Sequence, residues 1–330
     1  MDHMRTIKHA ETIRAATDPR RLEILGLLMD EAHTLSSLGA VLDRHPAWVR
    51  HHVKALERVG LVRLVETRAT KNYTEKFYRA TAAAYTLSML VRPATSAPAN
   101  VIAMVSHDLA LELLAAESEA GTLVAPVVTG SLDGLIGVRQ GLADVAGCHL
   151  LDADTGEYNI PYARHLFPDT DTVIVTLAHR EQGLIVAPGN PHKLGSISDI
   201  GDRDVVLVNR NPGSGTRLWL DRMLKAEGMA AGSVRGYASW VDTHTDAAAL
   251  VASGKADVAV GISAAAERYQ LDFVPLFRER YDLVMKREFY ETEEAARLLD
   301  LLHARAFRRS VERIRGYDAG AMGDEYRLAV

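Results

Sequence analysis

The chain has 330 residues, 38 Lys and Arg against 43 Asp and Glu, and a single cysteine. It is too long for one ordinary core and predicts two or three domains. No apolar run approaches the roughly 20 residues of a membrane helix, and Met1-Asp2-His3-Met4-Arg5 lacks a secretion-signal core, so a cytoplasmic protein without a membrane partner is expected. Lone Cys148 excludes an intrachain disulfide and a Cys-cluster zinc site, and reads as a small buried strand residue.

Charge is uneven. Residues 1–95 carry 15 Lys and Arg against 10 Asp and Glu, and the remainder carries 23 against 33. A basic head on an acidic body is the pattern of a chain whose head alone touches nucleic acid.

Asp18-Pro19 is a helix start, and Leu22, Ile24, Leu25 and Leu28 give that helix an apolar face. A short helix spans Leu35 to Leu42, and Asp43-Arg44-His45 is a turn. Pro46 opens a third helix that Gly60 closes. Val49, Val53 and Leu56 face its core; Ala47, Arg50, His51, Lys54 and Arg58 fall on the other side. A short helix, a turn and a longer helix with a basic outer face make a helix-turn-helix. Leu61–Glu66 and Lys76–Ala80 then read as a hairpin wing whose basic residues, Arg68 and Lys71, bind phosphate. His51-His52 is a poor metal chelate, because adjacent helical residues point about 100° apart. No metal site is expected.

Asp18-Pro19-Arg20-Arg21-Leu22-Glu23-Ile24-Leu25 and the run from Val49 to Val62 resemble winged-helix regulators of the ArsR type. The resemblance covers roughly 75 residues. It implies a homodimer on near-palindromic double-stranded DNA. Metal-sensing members use cysteine pairs, which residues 1–92 lack.

Residues 93–100, Pro-Ala-Thr-Ser-Ala-Pro-Ala-Asn, read as a linker. Beyond it strands and helices alternate, which predicts an α/β body of parallel units. Strands are expected at Val101–Val105, Leu123–Val128, Val145–Leu150, Thr172–Leu177, Gln182–Ala187, Val205–Val208, Ala256–Val260, Phe273–Leu276 and Tyr281–Met285. One long helix is expected from about Glu291 to Arg313.

Ser106, Ser131 and Ser214 each sit where a strand passes into a helix, the edge at which α/β folds bind ligands. Asn209-Arg210-Asn211-Pro212-Gly213-Ser214-Gly215-Thr216-Arg217 adds a glycine loop, free backbone N–H groups and a helix dipole. Ser106, Ser131, Ser214, Gly215 and Thr216 thus form a candidate cage of neutral donors. Arg217 and Tyr158 are further candidates. Whether His107, Asp108, Asp133 and Arg217 face a ligand is open, since helix starts favour acids in any case. Tyr281 reads equally well as a core or hinge aromatic.

Gly130–Leu135, Gly147–Asp152, Gly156–Asn159, Arg180–Leu184, Pro188–Pro191, Asn209–Arg217 and Glu279–Val284 are similar, in order, to type II periplasmic-binding-protein-like domains fused to bacterial and archaeal regulators. Related domains accompany molybdate, tungstate and molybdenum-cofactor metabolism. The resemblance implies two hinged lobes, 101–185 with 268–330 and 186–267, that close on ligand. It makes molybdate or tungstate the expected effector. A small organic anion is the alternative, and an enzyme or carrier related to the molybdenum cofactor is a second.

Catalytic motifs are sparse. The glycine loop lacks the Gly-Lys-Ser/Thr ending of a nucleotide loop, and Gly213-Ser214-Gly215 has the wrong spacing for a Gly-x-Ser-x-Gly elbow. A Ser/His pair such as Ser131 with His107 is the one catalytic arrangement left open. The expectation is a winged helix-turn-helix on a two-lobed α/β body, not an enzyme, needing no cofactor beyond its effector.

Overall fold

The computed structural model describes residues 5–7, 10–69, 74–87, 101–117, 124–202 and 204–330. Lys71 and the expected linker, 93–100, lie outside them. The chain divides into two compact units, Met1–Arg92 and Pro93–Val330.

In the first unit, helices Ala10–Ala16, Pro19–Asp30, Leu35–Leu42 and Pro46–Arg58 precede a hairpin of Val62–Ala69 and Thr74–Ala80. His33–Thr34 adds a short third strand beside Thr74–Ala80. Asp18 caps its helix by accepting the Arg20 N–H at 3.0 Å. The core joins Ile24, Leu25, Leu28, Leu38, Val49, Val53, Leu56 and Leu61. Leu22, expected on that face, is 48% exposed. At about 100° per residue it lies roughly 115° from the centre of the arc defined by Ile24, Leu25 and Leu28. Arg5–Ile7 and Tyr85–Leu87 form an unexpected two-stranded parallel pair.

The body is built on one mixed sheet. Across it the strands run Trp240–Val241, Leu207–Arg210, Val258–Ile262, Thr172–Val186, Asp272–Lys286, Val145–Cys148, Val101–Val105 and Val124–Val128. Tyr317–Asp318 and Glu325–Leu328 also pair with Thr172–Val186. Parallel pairing holds toward both edges, with an antiparallel centre.

That centre corrects the sequence reading. The expected strands Thr172–Leu177 and Gln182–Ala187 are one 15-residue strand, and Phe273–Leu276 with Tyr281–Met285 is another. The polar stretch between each pair looked like a turn. It is instead continuous strand, in which Arg180 at 0% and Glu279 at 2% exposure are buried. Both strands run through both halves of the body. Leu184 and Val186 pack with Leu207, Leu220 and Val258 in the second half, so the crossing falls inside the strand rather than after residue 185. The expected terminal helix is two helices, Glu293–His303 and Arg305–Glu312, broken at Ala304. The strand expected at Val205–Val208 is Leu207–Arg210. That shift places Arg210 on a sheet strand, fully buried.

Candidate functional site

The middle of the two long strands and the neighbouring strand-to-helix junctions gather a set of buried polar side chains: Ser106, His107, Asp108, His149, Arg180, Arg210, His244 and Glu279 are each at most 3% exposed. Buried charge is costly unless it is paired or bonded, so each partner matters.

Arg180 is held on two sides. Its Nε donates to Glu279 Oε1 at 2.5 Å and its Nη1 to Asp108 Oδ2 at 2.6 Å. Burial pulls its pKa down, but Glu279 and Asp108 more than offset this and hold it charged. Its Nη2 has no partner among the described residues. Arg210 is less well served. Its Nη2 donates to the Asp242 carbonyl at 2.7 Å, while Nε and Nη1 are buried and without a partner among the described residues. Burial, with Arg180 nearby, pushes its pKa down to about 9. Both ring nitrogens of buried His244 are also unpartnered, and burial drives its pKa far down.

His149 links the serines. Its Nδ1 lies 2.7 Å from Glu279 Oε2 and its Nε2 3.0 Å from Ser106 Oγ. Burial opposes charge on Glu279, but Arg180 and His149 outweigh it and bring its pKa down to about 2. An ionised Glu279 only accepts, so His149 carries its proton on Nδ1. Burial lowers the His149 pKa, which keeps the ring neutral, and Nε2 then accepts from the Ser106 hydroxyl.

The expected neutral cage is therefore changed. Ser106 donates its hydrogen bond to His149. Ser131 Oγ accepts from the backbone N–H of His149 at 3.3 Å. Ser214 caps the helix Gly215–Ala226, accepting from Arg217 N and donating to the Asn211 carbonyl. Thr216 exchanges hydrogen bonds with Gln182 at 2.9 and 3.3 Å. Gly215 packs on the His149 ring: a Cβ there would stand 2.7 Å from Nδ1. The first N–H groups of that helix, at Gly215 and Thr216, have no acceptor within the helix.

The other expected residues divide. Asp108 turns inward to Arg180 and Tyr317. Asp133 is exposed. Arg217 turns away and lies over the Tyr237 ring at 4.0 Å. The half-buried Tyr158 hydroxyl lies 3.4 Å from the Arg278 carbonyl, and burial raises its pKa. Tyr281 donates to the Ser106 carbonyl at 2.5 Å. Cys148 is buried and its thiol pKa is raised by burial. The two halves are closed on one another: Asn211 Nδ2 donates to the Thr129 carbonyl at 2.8 Å and Leu132 N to the Gly213 carbonyl at 3.1 Å. Arg180, Arg210, His149 and Glu279 lie within the motifs that carry the resemblance but were not named as site residues, and His244 was not singled out from sequence. The available signal was charge inside long apolar strand runs, such as Val173-Ile174-Val175-Thr176-Leu177-Ala178-His179-Arg180.

In the first unit, Ala47, Arg50, His51, Lys54 and Arg58 are all exposed on one helix, while Val49, His52, Val53 and Leu56 are buried. Lys54 pairs with Glu57 at 2.5 Å. Arg68 pairs with Glu66 and covers the Phe77 ring. His52 packs on Trp48 rather than turning outward with His51. Among the described residues no group of three or more His, Cys, Asp or Glu is arranged to hold a metal ion, and no helix is long and apolar enough to cross a membrane.

Residues 112–303 match the PBP superfamily domain. The chain belongs to the PBP superfamily. Residues 16–65 match a helix-turn-helix domain, so a DNA-binding head is fused to a PBP-like ligand-binding body. The uncharacterized protein YvgK of Bacillus subtilis (strain 168) is 32% identical over 219 residues, 66% of this chain and 70% of that protein. An uncharacterized protein in the ferredoxin 2Fe-2S gene 5′ region of Clostridium pasteurianum is 32% identical over 105 residues, covering 32% of this chain and 93% of that one. Among solved structures, a putative phosphate ABC transporter substrate-binding protein with bound phosphate from Clostridium perfringens aligns with a TM-score of 0.47 at 15% identity, covering 67% of this chain and 98% of that one.

Proposed function

We propose that this PBP-superfamily chain is a ligand-responsive DNA-binding regulator whose body closes on a small anion. One observation carries the anion: Arg210 is a fully buried cation with two unpartnered N–H groups and no carboxylate within ion-pair distance among the described residues. Arg180 Nη2 supplies a further donor, and the start of the helix Gly215–Ala226 is where backbone N–H groups lack intrahelical acceptors. An anion there supplies the counter-charge that Arg210 lacks among the described residues.

The switch is a population shift. The ligand binds the closed body better than the open one, and closure alters a dimer's recognition-helix spacing, about 34 Å for one helical turn of DNA. Signalling by this route needs binding only, and places the protein with DNA in the cytoplasm.

Molybdate and tungstate lead the candidates through the sequence resemblance. A small organic anion is the second reading. It is favoured by Ser106, whose proton is already committed to His149 and which therefore presents an acceptor rather than a donor. Calorimetry with molybdate, tungstate, sulfate and phosphate tests the proposal. Heat from at least one of them in the wild type, lost in Arg210→Met, is expected. Silence from all four oxyanions, and from a panel of small carboxylates, sinks the anion reading.

A further inference from the structure

We infer that Ser106, His149 and Glu279 form a hydrolytic triad whose substrate is a carboxylic ester bearing a second, anionic group. Each part answers a chemical need. Ser106 directly follows the strand Val101–Val105 and precedes the helix Leu109–Glu117, so its buried hydroxyl lies at the carboxyl end of a sheet strand. Its Oγ is 3.0 Å from His149 Nε2, and His149 Nδ1 is 2.7 Å from Glu279 Oε2. The ring nitrogens are used in the order a nucleophile, a base and an orienting carboxylate require.

The base is held firmly. Its ring stacks on Tyr281 at 5.7 Å and 21°, and Gly215 closes against its other atoms. Tyr281 also fixes the nucleophile's backbone through the Ser106 carbonyl. Glu279 is itself fixed by Arg180 and by Gln182, at 2.7 Å. This locking gives the precision that acyl transfer needs. The N–H groups of Gly215 and Thr216, at a helix start beside His149, stabilise a developing oxyanion. Arg180 and Arg210 hold the substrate's anionic group. That half rests on the anion reading above; the nucleophile does not.

The reaction closes on itself. Ser106 Oγ attacks the ester carbonyl carbon as its proton passes to His149 Nε2. The carbon–oxygen bond to the leaving group breaks, and the alcohol departs with that proton. Water then gives a proton to His149 and attacks the acyl carbon. The bond to Ser106 breaks, the carboxylic acid leaves, and Ser106 regains its proton. One ester and one water yield one acid and one alcohol. Glu279 is a positioning residue, since it acts only through His149.

The full chain is treated with diisopropyl fluorophosphate and mapped by mass spectrometry. One diisopropylphosphoryl group on Ser106 is expected, absent from Ser106→Ala and from His149→Ala. Circular dichroism establishes that both variants fold. Glu279→Gln should slow labelling by on the order of ten-thousandfold. No label in the wild type, a label on another residue, or labelling of Ser106 at an unchanged rate in His149→Ala overturns the triad. Hydrolysis of p-nitrophenyl hydrogen succinate should exceed that of p-nitrophenyl acetate at least tenfold; equal rates overturn the anionic half. Labelling needs no bound anion, so silence in the oxyanion and carboxylate calorimetry together with a labelled Ser106 separates the two failures.

Discussion

Arg180 and Glu279 stand opposite each other in the two longest strands, and their side chains meet at 2.5 Å, Nε to Oε1. The pair ties both halves of the body to one buried ionic centre. Glu279 uses its remaining oxygen on His149, and Arg180 uses Nη1 on Asp108. A guanidinium fixed at two corners leaves its third for a ligand.

Arg210 has no such support. A buried cation without a counter-ion destabilises the ligand-free protein. Its folded pKa, about 9, is below the usual 12.5, so this penalty is present at neutral pH and is relieved only as pH rises from about 9 toward 12.5. Arg210→Met should raise the stability of the ligand-free protein by about 1–4 kcal/mol while abolishing anion binding. Thermal melts with and without anion measure both effects.

Glu279 has the opposite sign. Its folded pKa of about 2 is below the usual 4.5, so its stabilisation is complete above about pH 4.5 and is lost as pH falls toward 2. Glu279→Gln should remove much of the acid sensitivity in that window, at the cost of on the order of a few kcal/mol at pH 7. Urea titrations from pH 2 to 7 give the slopes.

Gly215 limits closure. Added at that position, a Cβ stands 2.6 Å from the His149 carbonyl oxygen and 2.7 Å from the ring. Gly215→Ala should weaken anion affinity at least tenfold, because neither backbone nor a locked ring yields readily. Calorimetry reads the loss, and unchanged circular dichroism shows that each half still folds.

On the head, Arg50 is exposed and in no ion pair among the described residues, whereas Lys54 is held by Glu57. Arg50→Ala should therefore weaken binding to duplex DNA more than Lys54→Ala. Each lost phosphate contact should make the salt dependence shallower by about one unit. Filter binding across a salt series checks this, with anion calorimetry unaffected.

Much of this architecture was legible in the chain. Asp18-Pro19 and Pro46 start helices, Val49, Val53 and Leu56 mark a core face, and Ser106, Ser131 and Ser214 mark strand-to-helix junctions. These signals are local: a cap, a period or a turn is decided within a few residues. Periodicity also separated the exposed face of Pro46–Arg58 from its buried one.

The ionic centre was not legible in that way. His179-Arg180-Glu181 and Arg278-Glu279-Arg280 carry the composition of turns, and sequence polarity alone split two continuous strands at those points. Only pairing across the sheet sets Arg180 against Glu279, 99 residues away, and only folding brings His149 between Glu279 and Ser106. Residue order therefore determined the helix-turn-helix head, the α/β body and the glycine loop. Tertiary structure decided which charges are buried, which are paired and which are left for a ligand, because desolvation and pairing depend on neighbours that the linear chain does not place side by side.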